Sequence, residues 1–436
     1  MTISVAIIGS GPAGCYLAEG LLKSGGGAVR VDVIDRLPTP YGLIRAGVAP
    51  DHASVKAVSR RFEATLGQPG VRLLGGVELD RDVTLAELRG LYDAVALATG
   101  APLDRRLGVP GEELPGVWGS GAFVAWYNGH PDFQDRAPDL SHPRALVVGA
   151  GNVALDVARL LARTPEEFAG SDLPAHASAA FAASGVRDIL IVARRSAEHA
   201  AFSPKELSEM GELARARPVL DPAQAPDPAL DEGLEPGRRK VMATLRSFAA
   251  TPVDQRPLTV TFAFSTRPVA FEGAGRLEAA ILEGPDGQQR RFDCGLAVTA
   301  IGYRSAPFAG APFDEATGRF VNDGGRIGDG LWATGWARRG PSGTIGTNRT
   351  DAIEVAGRIL AETTPSGRPG PAGLDALLAS RGITPAGLAD WQRLDAVELA
   401  AAPPGRLREK LVTHRALAEA LGLEPQPLAS RAAAGL

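Results

Sequence analysis

The sequence predicts an α/β fold in which two three-layer domains, each with a parallel sheet, are nested in one chain of 436 residues. Two observations lead to this prediction. Short apolar strands run into glycine-rich turns and then helices at two places, first from residue 3 and again from residue 145. Strands that alternate with helices indicate parallel sheets, because two parallel strands need a long crossover between them.

The first of these units has a strand over residues 3–8, a helix over residues 13–23 and a second strand over residues 29–34. The helix ends at three consecutive glycines, and the second strand alternates apolar and polar residues. This is one complete βαβ unit, the building block of Rossmann-like domains.

The turn of this unit reads GSGPAG at residues 9–14, a full GxGxxG dinucleotide-binding fingerprint. Gly9 allows the tight turn, Gly11 lets the backbone approach a pyrophosphate, and Gly14 lets the helix pack closely on the strand. Asp35 follows Gly14 by twenty-one residues at a strand end, where an acid can bind ribose hydroxyls. Strand, helix and acid together favour a dinucleotide site over a simple glycine turn.

The second unit has a strand over residues 145–148, a helix over residues 153–163 and a strand over residues 189–193. Its turn reads GAGNVA at residues 149–154, with the permitted alanine in third place. The next strand leads into Arg194-Arg195 with no acid. Two guanidiniums there match a 2′-phosphate, which favours NADP(H) over NAD(H).

The alternative is a solvated arginine pair at a strand end. The separation of 40 residues between Ala154 and Arg194 is longer than usual for this motif, and an insertion around residues 165–184 would account for it.

Composition and charge exclude several other classes. A net charge of −4 and a pI near 6.0 argue against a nucleic-acid binder, which would be basic overall. The N-terminus lacks a signal-peptide pattern, and no apolar run is long enough to span a membrane. The two cysteines, Cys15 and Cys294, form no dithiol or metal-ligand motif. We expect no metal site and a cytoplasmic location, since few thiols suit a reducing compartment.

Two further strands, over residues 92–100 and 298–302, precede turn-rich segments and predict the domain joints. The first domain would cover residues 1–103 and resume over residues 304–436, where it ends in a helical segment. The second domain would cover residues 104–303. Two nucleotide-binding units in one chain suggest two different nucleotides.

Six further stretches occur in order along the chain. They are PTPYGLIRAGVAPDH at 38–52, LGVPGEELPGV at 107–117, FVAWYNGHPD at 123–132, GNVALDVARLL at 151–161, AFSPKEL at 201–207 and GWARRGPSGTIGTN at 335–348. Together they make the sequence resemble the adrenodoxin-reductase-type ferredoxin–NADP(+) reductases. The tail, with Trp391 and GRLREK at 405–410, resembles that family's C-terminal segment more loosely. The resemblance implies the two nested Rossmann-like domains of glutathione-reductase-like flavoproteins.

The resemblance also implies that the first domain binds FAD and the second NADP(H). The expected FAD contacts are Gly9, Gly11, Ala13, Gly14, Asp35, Leu43, Val77, Trp336, Gly343, Thr344 and Ile345. The expected NADP(H) contacts are Arg105, Gly149, Gly151, Asn152, Val153, Ala154, Leu155, Arg194, Arg195 and Glu206. Leu43 and Trp336 would lie at the isoalloxazine, where backbone N–H groups of residues 343–345 can stabilise negative charge.

The sequence departs from the family at one position, and the resemblance also indicates one pair of candidate catalytic residues. The family often has Glu where Asp35 stands, and the shorter side chain can still reach a ribose. The family's buried His/Glu pair near the nicotinamide falls on His52 and Glu209, our candidate catalytic residues. They could orient the cofactor or manage a proton, or form a purely structural hydrogen bond.

A basic cluster on a predicted helix is the candidate partner site. It consists of Arg238, Arg239, Lys240 and Arg246. A solvated helix face is one interpretation. The other, implied by the resemblance, is docking of an acidic ferredoxin, in which charge complementarity would mainly raise the association rate.

The predicted activity is hydride transfer from NADPH to FAD, followed by single-electron transfer to a ferredoxin-type iron–sulfur protein. Three alternatives remain open. The chain could be a flavin subunit of a larger complex, although such subunits usually carry cysteine-rich cluster motifs. It could pass electrons to quinone or oxygen. It could also be a non-enzymatic NADP(H)-binding sensor, which absence of bound flavin would favour.

Overall fold

The computed structural model describes residues 2–252 and 254–423, and these divide between two compact units. The first unit contains the described residues up to Leu103, those of Tyr303–Pro403 and those from Leu407 onward. The second contains Asp104–Gly302 and the short piece Pro404–Arg406. The second unit therefore interrupts the first in the sequence.

Nineteen strands are found among the described residues. They are β1 (Ile3–Ile8), β2 (Val29–Asp35), β3 (Val71–Gly75), β4 (Ala94–Leu97), β5 (Leu103–Asp104), β6 (Val117–Gly119), β7 (Arg144–Val148), β8 (Asp188–Val192), β9 (Ala216–Leu220), β10 (Leu258–Ala263), β11 (Arg267–Glu272), β12 (Ala279–Glu283), β13 (Gln289–Asp293), β14 (Leu296–Thr299), β15 (Tyr303–Arg304), β16 (Phe313–Asp314), β17 (Arg319–Phe320), β18 (Arg326–Gly328) and β19 (Leu331–Ala333).

Fifteen α-helices connect and cover the strands in the described part of the chain. They are α1 (Pro12–Gly25), α2 (Leu43–Ala46), α3 (Ala53–Lys56), α4 (Ser59–Leu66), α5 (Leu85–Leu91), α6 (Ser120–Tyr127), α7 (Asn152–Ala162), α8 (Ala175–Ala182), α9 (Pro204–Glu209), α10 (Pro236–Ala250), α11 (Trp336–Arg339), α12 (Ile345–Glu362), α13 (Gly370–Ser380), α14 (Leu388–Ala400) and α15 (His414–Leu421). None of these helices is both long and apolar enough to cross a membrane.

The first unit is built on a six-stranded sheet in the order β3-β2-β1-β4-β19-β18. All neighbours in this sheet are parallel except β18 and β19. Side chains of β1 alternate between two apolar cores: Val5 and Ile7 pack with α1 and α12 on one face, whereas Ala6 and Ile8 pack with α5 and α13 on the other. Burial on both faces explains the continuous apolar run that predicts this strand.

The second unit has its own six-stranded sheet, in the order β6-β14-β7-β8-β10-β9, with every neighbouring pair parallel. Helices including α7 and α10 cover one face, where Ala145 and Val147 lie. The antiparallel sheet β11-β12-β13 covers the other, where Leu146 and Val148 meet Phe271 and neighbouring apolar residues. Both units thus have three layers, and the predicted α/β fold class of two Rossmann-like domains is confirmed.

The predicted elements differ from the observed ones mainly at their ends. Helix α1 is longer at both ends than the predicted residues 13–23. Strand β4 is shorter than the predicted residues 92–100, because Tyr92 still caps α5 and the strand ends at Leu97. Between α7 and β8, the long separation is filled by a single 3₁₀ turn (Glu166–Phe168) and by α8, so it consists of folded structure.

Candidate functional site

The first fingerprint is a turn in which two glycines are required by close contacts. Gly9 has φ +109°, its N–H donates to Ile34 O at 2.7 Å, and a Cβ there would lie 2.5 Å from Ala98 O. A Cβ at Gly14 would lie 2.0 Å from Gly9 O. A side chain at Gly9 would push the turn away from Ala98, and one at Gly14 would push helix α1 away from the turn.

The middle glycine of this turn faces a second glycine turn instead of a side chain. Around Gly11, the first residue before α1, a Cβ would find only Gly42 Cα, 3.9 Å away. In the reverse direction, a Cβ at Gly42 would be 3.1 Å from Gly11 Cα. Tyr41 N–H also donates to Ser10 O at 3.1 Å. The resulting groove exposes main chain at a helix N-terminus, which suits a pyrophosphate.

The segment that contains Trp336 lies against the same turn. A Cβ at Gly335, which has φ +65°, would be 2.4 Å from the Ala13 side chain. The Trp336 indole stacks on Tyr303 with ring centroids 6.0 Å apart, and its N–H donates to Ser342 O at 3.1 Å. The fold thus brings Ala13 and Trp336 to one place although more than 300 residues separate them.

Residues Gly343, Thr344 and Ile345 form the start of α12, a helix of 18 residues. Gly343 has φ +80°, and a Cβ there would be 2.7 Å from the Thr347 hydroxyl. Thr344 caps the helix, with its N–H donating to Thr347 Oγ1 at 3.1 Å. The exposed start of a long helix carries partial positive charge, which matches the expected role of stabilising negative charge on a reduced flavin.

Asp35 is bonded to the fingerprint turn itself. Its Oδ2 accepts from the N–H and the hydroxyl of Ser10 at 2.8 and 2.6 Å, and its Oδ1 accepts from Leu37 N–H at 3.0 Å. Val77 is buried, and its N–H donates to Asp35 O at 2.9 Å. Asp35 therefore ties the turn to the strand end, and Val77 supports that strand end.

Leu43 stands out among the expected FAD contacts because its apolar side chain is 46% exposed. It begins the short helix α2 directly after Gly42. Gly47 makes room for it, since a Cβ at Gly47 would lie 2.5 Å from Leu43 Cδ2. A leucine held in this exposed position is suited to packing against a planar ligand.

The second fingerprint has the same shape at the end of β7. Gly149 has φ +149°, and a Cβ there would lie 2.2 Å from Ala300 O. Nothing lies within 4 Å of the Cβ position at Gly151, so there is room beside the N-terminus of α7. Asn152 begins α7 and accepts from Ser203 N–H at 2.8 Å. Val153 is half-buried, while Ala154 and Leu155 are fully buried, so they contribute packing and main chain to the turn.

The arginine pair follows β8, the strand next to this turn, as expected. Arg194 and Arg195 are both exposed, and neither guanidinium bonds to any other residue in the described part of the chain. The turn after them is held by Arg238, whose guanidinium donates to the carbonyl oxygens of Glu198 and Ala200. Two available guanidiniums on a supported turn form a suitable site for a phosphate.

The remaining NADP(H) candidates and the His/Glu pair are carried by several different elements. Glu206 is in the first turn of α9, where its N–H is 3.4 Å from the capping Ser203 hydroxyl. Arg105 is half-buried, and its N–H donates to Gly302 O at 3.0 Å. His52 precedes α3 in the first unit, and Glu209 ends α9 in the second.

Glu209 has a charged partner that the sequence did not indicate. Its carboxylate lies 3.4 Å from Nε of the fully buried Arg159, and Lys205 Nζ is 3.7 Å away. Arg159 also donates to Asp156 at 2.8 Å. Because a buried guanidinium needs a nearby counter-charge, Glu209 and Asp156 both contribute to balancing Arg159 within the second unit.

The described residues contain no group of three or more side chains that could hold a metal ion. Both cysteines are free and buried. Burial raises the pKa of the Cys294 thiol to about 12 and raises that of Cys15 as well. Thiols in this state are poor nucleophiles.

Comparisons with known proteins identify the family of the chain. The family described as pyridine nucleotide-disulphide oxidoreductase matches residues 3–210. Human mitochondrial NADPH:adrenodoxin oxidoreductase is 40% identical over 97% of this chain and 92% of that protein. NADPH-ferredoxin reductase FprA of Mycobacterium leprae is 37% identical over 93% of this chain and 96% of that protein. The chain belongs to the adrenodoxin-reductase-type ferredoxin–NADP reductases.

A solved structure supports the same assignment across nearly the whole chain. FprA from Mycobacterium tuberculosis in complex with NADPH has a TM-score of 0.88 and 36% identity, covering 97% of this chain and 99% of that one. This ferredoxin–NADP reductase is therefore an FAD-dependent oxidoreductase, and its cofactors are FAD and NADP(H).

The basic cluster of this reductase does lie on a helix, α10, but its four cations differ. Arg238 is bonded to two carbonyl oxygens, and Arg246 forms an ion pair with Asp231. Arg239 and Lys240 are exposed, and neither cationic group bonds to another described residue. These two side chains carry the exposed charge of the cluster.

Sequence reasoning missed several residues that support the site of this reductase. Ser10 was a variable position in the fingerprint, and only the structure shows that it binds Asp35. Arg159 and Glu398 are fully buried charges, which no pattern in the sequence distinguishes from exposed ones. Trp391 offered a signal, because a lone tryptophan in a polar tail usually packs against something.

Proposed function

We propose that this reductase takes electrons from NADPH and delivers them singly to a ferredoxin-type iron–sulfur protein. The observation that carries the proposal is the contrast between the two turns: one strand end holds the carboxylate of Asp35, and the other holds the exposed pair Arg194 and Arg195. A carboxylate suits ribose hydroxyls, whereas two guanidiniums suit a 2′-phosphate. Bound FAD supplies the chemistry, since a flavin accepts two electrons at once and releases them one at a time.

We assign FAD to the first unit. The Cβ positions of Gly9 and Gly14 are filled by main-chain atoms, whereas that of Gly11 faces only Gly42, so the turn leaves room beside Gly11. Its main chain and the start of α1 would hold the pyrophosphate, and Asp35 would share its carboxylate between Ser10 and the ribose. Leu43, Trp336 and the start of α12 would bind the isoalloxazine. The full set proposed is Gly9, Gly11, Ala13, Gly14, Asp35, Leu43, Val77, Trp336, Gly343, Thr344 and Ile345.

We assign NADP(H) to the second unit. The open space beyond Gly151 lets the main chain approach a pyrophosphate, and Arg194 and Arg195 would bind the 2′-phosphate. Arg105 and Glu206 would contact the remainder of the nucleotide. The full set proposed is Arg105, Gly149, Gly151, Asn152, Val153, Ala154, Leu155, Arg194, Arg195 and Glu206.

His52 and Glu209 are proposed to hold the nicotinamide or a proton near it. Neutral histidine can donate from one ring nitrogen and accept at the other, which suits either task. The structural role of Glu209 beside Arg159 is the competing account. A change in the pH profile of NADPH oxidation in His52→Gln would support a proton role, whereas a pure loss of stability would support the structural one.

The ferredoxin is proposed to dock at the basic cluster of Arg238, Arg239, Lys240 and Arg246, mainly through the exposed Arg239 and Lys240. We expect Arg239→Glu with Lys240→Glu to raise the KM for ferredoxin at low salt, with the difference vanishing at high salt. NADPH oxidation by ferricyanide is the control, because it requires no docking. An unchanged KM at low salt would refute this docking site.

We further propose that the activity is cytoplasmic. Two reduced, buried thiols are compatible with a reducing compartment, and neither depends on an oxidising one for a disulfide. Cell fractionation with an antibody to the native chain tests this, and recovery in a membrane-bound or secreted fraction would contradict it.

The decisive experiment is an anaerobic titration with NADPH and, separately, with NADH, following flavin absorbance. Fast bleaching with NADPH, slow bleaching with NADH and subsequent reduction of an added ferredoxin are the expected results. Equal rates with the two nucleotides would remove the 2′-phosphate assignment. Bleaching without electron transfer to any ferredoxin would favour an acceptor such as quinone or oxygen.

A further inference from the structure

The C-terminal part of the first unit contains a carboxylate with no exposure to solvent. Glu398 on α14 is 0% exposed. Its two oxygens accept from both terminal nitrogens of Arg45, one of them at 2.8 Å, and Oε1 also accepts from Leu411 N–H at 2.8 Å. Arg408 donates to Oε2 at 3.2 Å. Every oxygen of this buried group is therefore satisfied by a specific donor.

Arg45 makes further contacts with the same C-terminal part of the first unit. Its guanidinium lies 5.4 Å from the ring centroid of Trp391, which is seven residues before Glu398 on α14. Lys410, which is almost fully buried, donates from Nζ to Arg45 O at 3.2 Å. Trp391 also meets the ring of Tyr41 edge-to-face, with centroids 5.6 Å apart. We call α14 together with residues 407–411 the C-terminal clamp.

The segment that the clamp holds is the turn over residues 41–47. Tyr41 has φ +81°, which is unfavourable for a residue with a side chain and persists only where the surroundings impose it. Within the turn, Ile44 N–H donates to Tyr41 O and Arg45 N–H to Gly42 O, each at 3.0 Å. This turn presents Leu43 and lies against the first fingerprint.

A buried ion pair contributes little net stability, because its desolvation cost offsets much of the attraction between the charges. It restricts geometry instead, since a carboxylate bound to both terminal nitrogens of an arginine permits few orientations of the two side chains. A buried, fully satisfied pair joining two segments about 350 residues apart therefore fits a positioning role.

We propose that the C-terminal clamp, through Glu398 and Trp391, positions the turn over residues 41–47 and thereby the FAD-binding groove of the first unit. Glu398 and Trp391 are positioning residues, because Glu398 acts through Arg45 and Trp391 through Arg45 and Tyr41, and neither acts on the cofactor itself. The proposal rests on the assignment of FAD to this unit. It gives the C-terminal part of the first unit a role in cofactor retention.

The test compares Glu398→Gln with a control on the same helix, Asp395→Asn. Asp395 binds Arg408 at the partly exposed edge of the clamp, and its carboxylate makes no hydrogen bond to Arg45. Two measurements are made on each protein: the dissociation constant of FAD for the apoprotein, from flavin fluorescence, and amide hydrogen exchange over residues 41–47 in the apoprotein.

We expect Glu398→Gln to weaken FAD binding about tenfold and to speed exchange of the Ile44 and Arg45 amides about tenfold, with β1 unchanged. We expect Asp395→Asn to match the native chain in both. Unchanged exchange over residues 41–47 in Glu398→Gln would overturn the proposal, and so would an equal effect of Asp395→Asn.

A second variant keeps the test decisive if Glu398→Gln does not fold. Arg45→Lys retains the charge but loses the two-pronged bond, so we expect faster exchange in the same turn and a smaller loss of FAD affinity. Native exchange in that variant would also overturn the proposal. Failure of the native apoprotein to bind FAD would instead refute the FAD assignment, and the exchange data would still decide the positioning role.

Discussion

The two fingerprint turns follow the same path but differ at the third glycine position and at the end of the next strand. At Gly14 a Cβ would lie 2.0 Å from Gly9 O, whereas Ala154 holds a real Cβ at the corresponding position of the second turn. One strand end places Asp35 on its own turn, and the other leaves Arg194 and Arg195 exposed. From this comparison we infer that the shared fold provides a pyrophosphate groove in each unit and that the charge at the next strand end selects the nucleotide.

The largest effect should come from adding a methyl group to the tighter turn. Gly14→Ala places a Cβ 2.0 Å from a backbone oxygen, and we expect destabilisation of at least about 3 kcal/mol together with loss of FAD binding. The matched change in the other turn is Ala154→Gly, which removes a methyl and should cost about 1 kcal/mol. Thermal unfolding and flavin content measure both. Similar losses in the two variants would show that the turns do not differ in tightness.

The next effect concerns the charge that distinguishes the strand ends. Replacing both Arg194 and Arg195 with alanine removes two available guanidiniums, and we expect the affinity for 2′,5′-ADP to fall about a hundredfold, roughly 2.7 kcal/mol. Binding of 5′-AMP, which lacks the 2′-phosphate, should not change. Calorimetry on the two ligands measures this. If the affinities for both ligands fall equally, the arginines support the turn without binding the 2′-phosphate.

A smaller effect separates support of that turn from partner docking. Arg238→Ala frees the carbonyl oxygens of Glu198 and Ala200, and we expect 2′,5′-ADP to bind about tenfold more weakly. Arg239→Ala, on the neighbouring exposed residue of α10, serves as the control and should leave this affinity unchanged. The same calorimetric titration applies. An intact affinity in Arg238→Ala would show that the turn keeps its shape without this arginine.

The smallest effect lies in the first turn, where a carboxylate and a hydroxyl are coupled. A double-mutant cycle with Asp35→Ala and Ser10→Ala should give a coupling energy of about 1 kcal/mol in unfolding free energy, because the two side chains share a hydrogen bond of 2.6 Å. Urea unfolding of the four proteins measures it. Strict additivity would mean that the bond does not persist in solution.

The elements around both turns were predictable because they depend on local chemistry. The apolar run of β1, the GxGxxG spacing and the run of glycines that ends α1 each require only neighbours in the sequence. The arginine pair was predictable for the same reason, since it directly follows a strand next to a fingerprint.

The support of these sites was not predictable. That Ser10 binds Asp35, that Arg238 holds the turn after Arg195, and that Glu398 is fully buried beside Arg45 are all contacts between distant segments. A charged residue in a sequence gives no sign of its eventual burial, because burial depends on what the rest of the chain places around it. The same limit left the role of Glu209 open, since its partner Arg159 lies on another helix.

Sequence patterns alone were sufficient for the two nucleotide-binding turns, their order in the chain and the difference in charge between them, because short-range geometry and residue chemistry specify these. The tertiary structure decided which exposed cations remain available, which glycines are crowded, and that the C-terminal clamp contacts the turn that carries Leu43. These properties arise only when distant segments pack together and water is excluded between them.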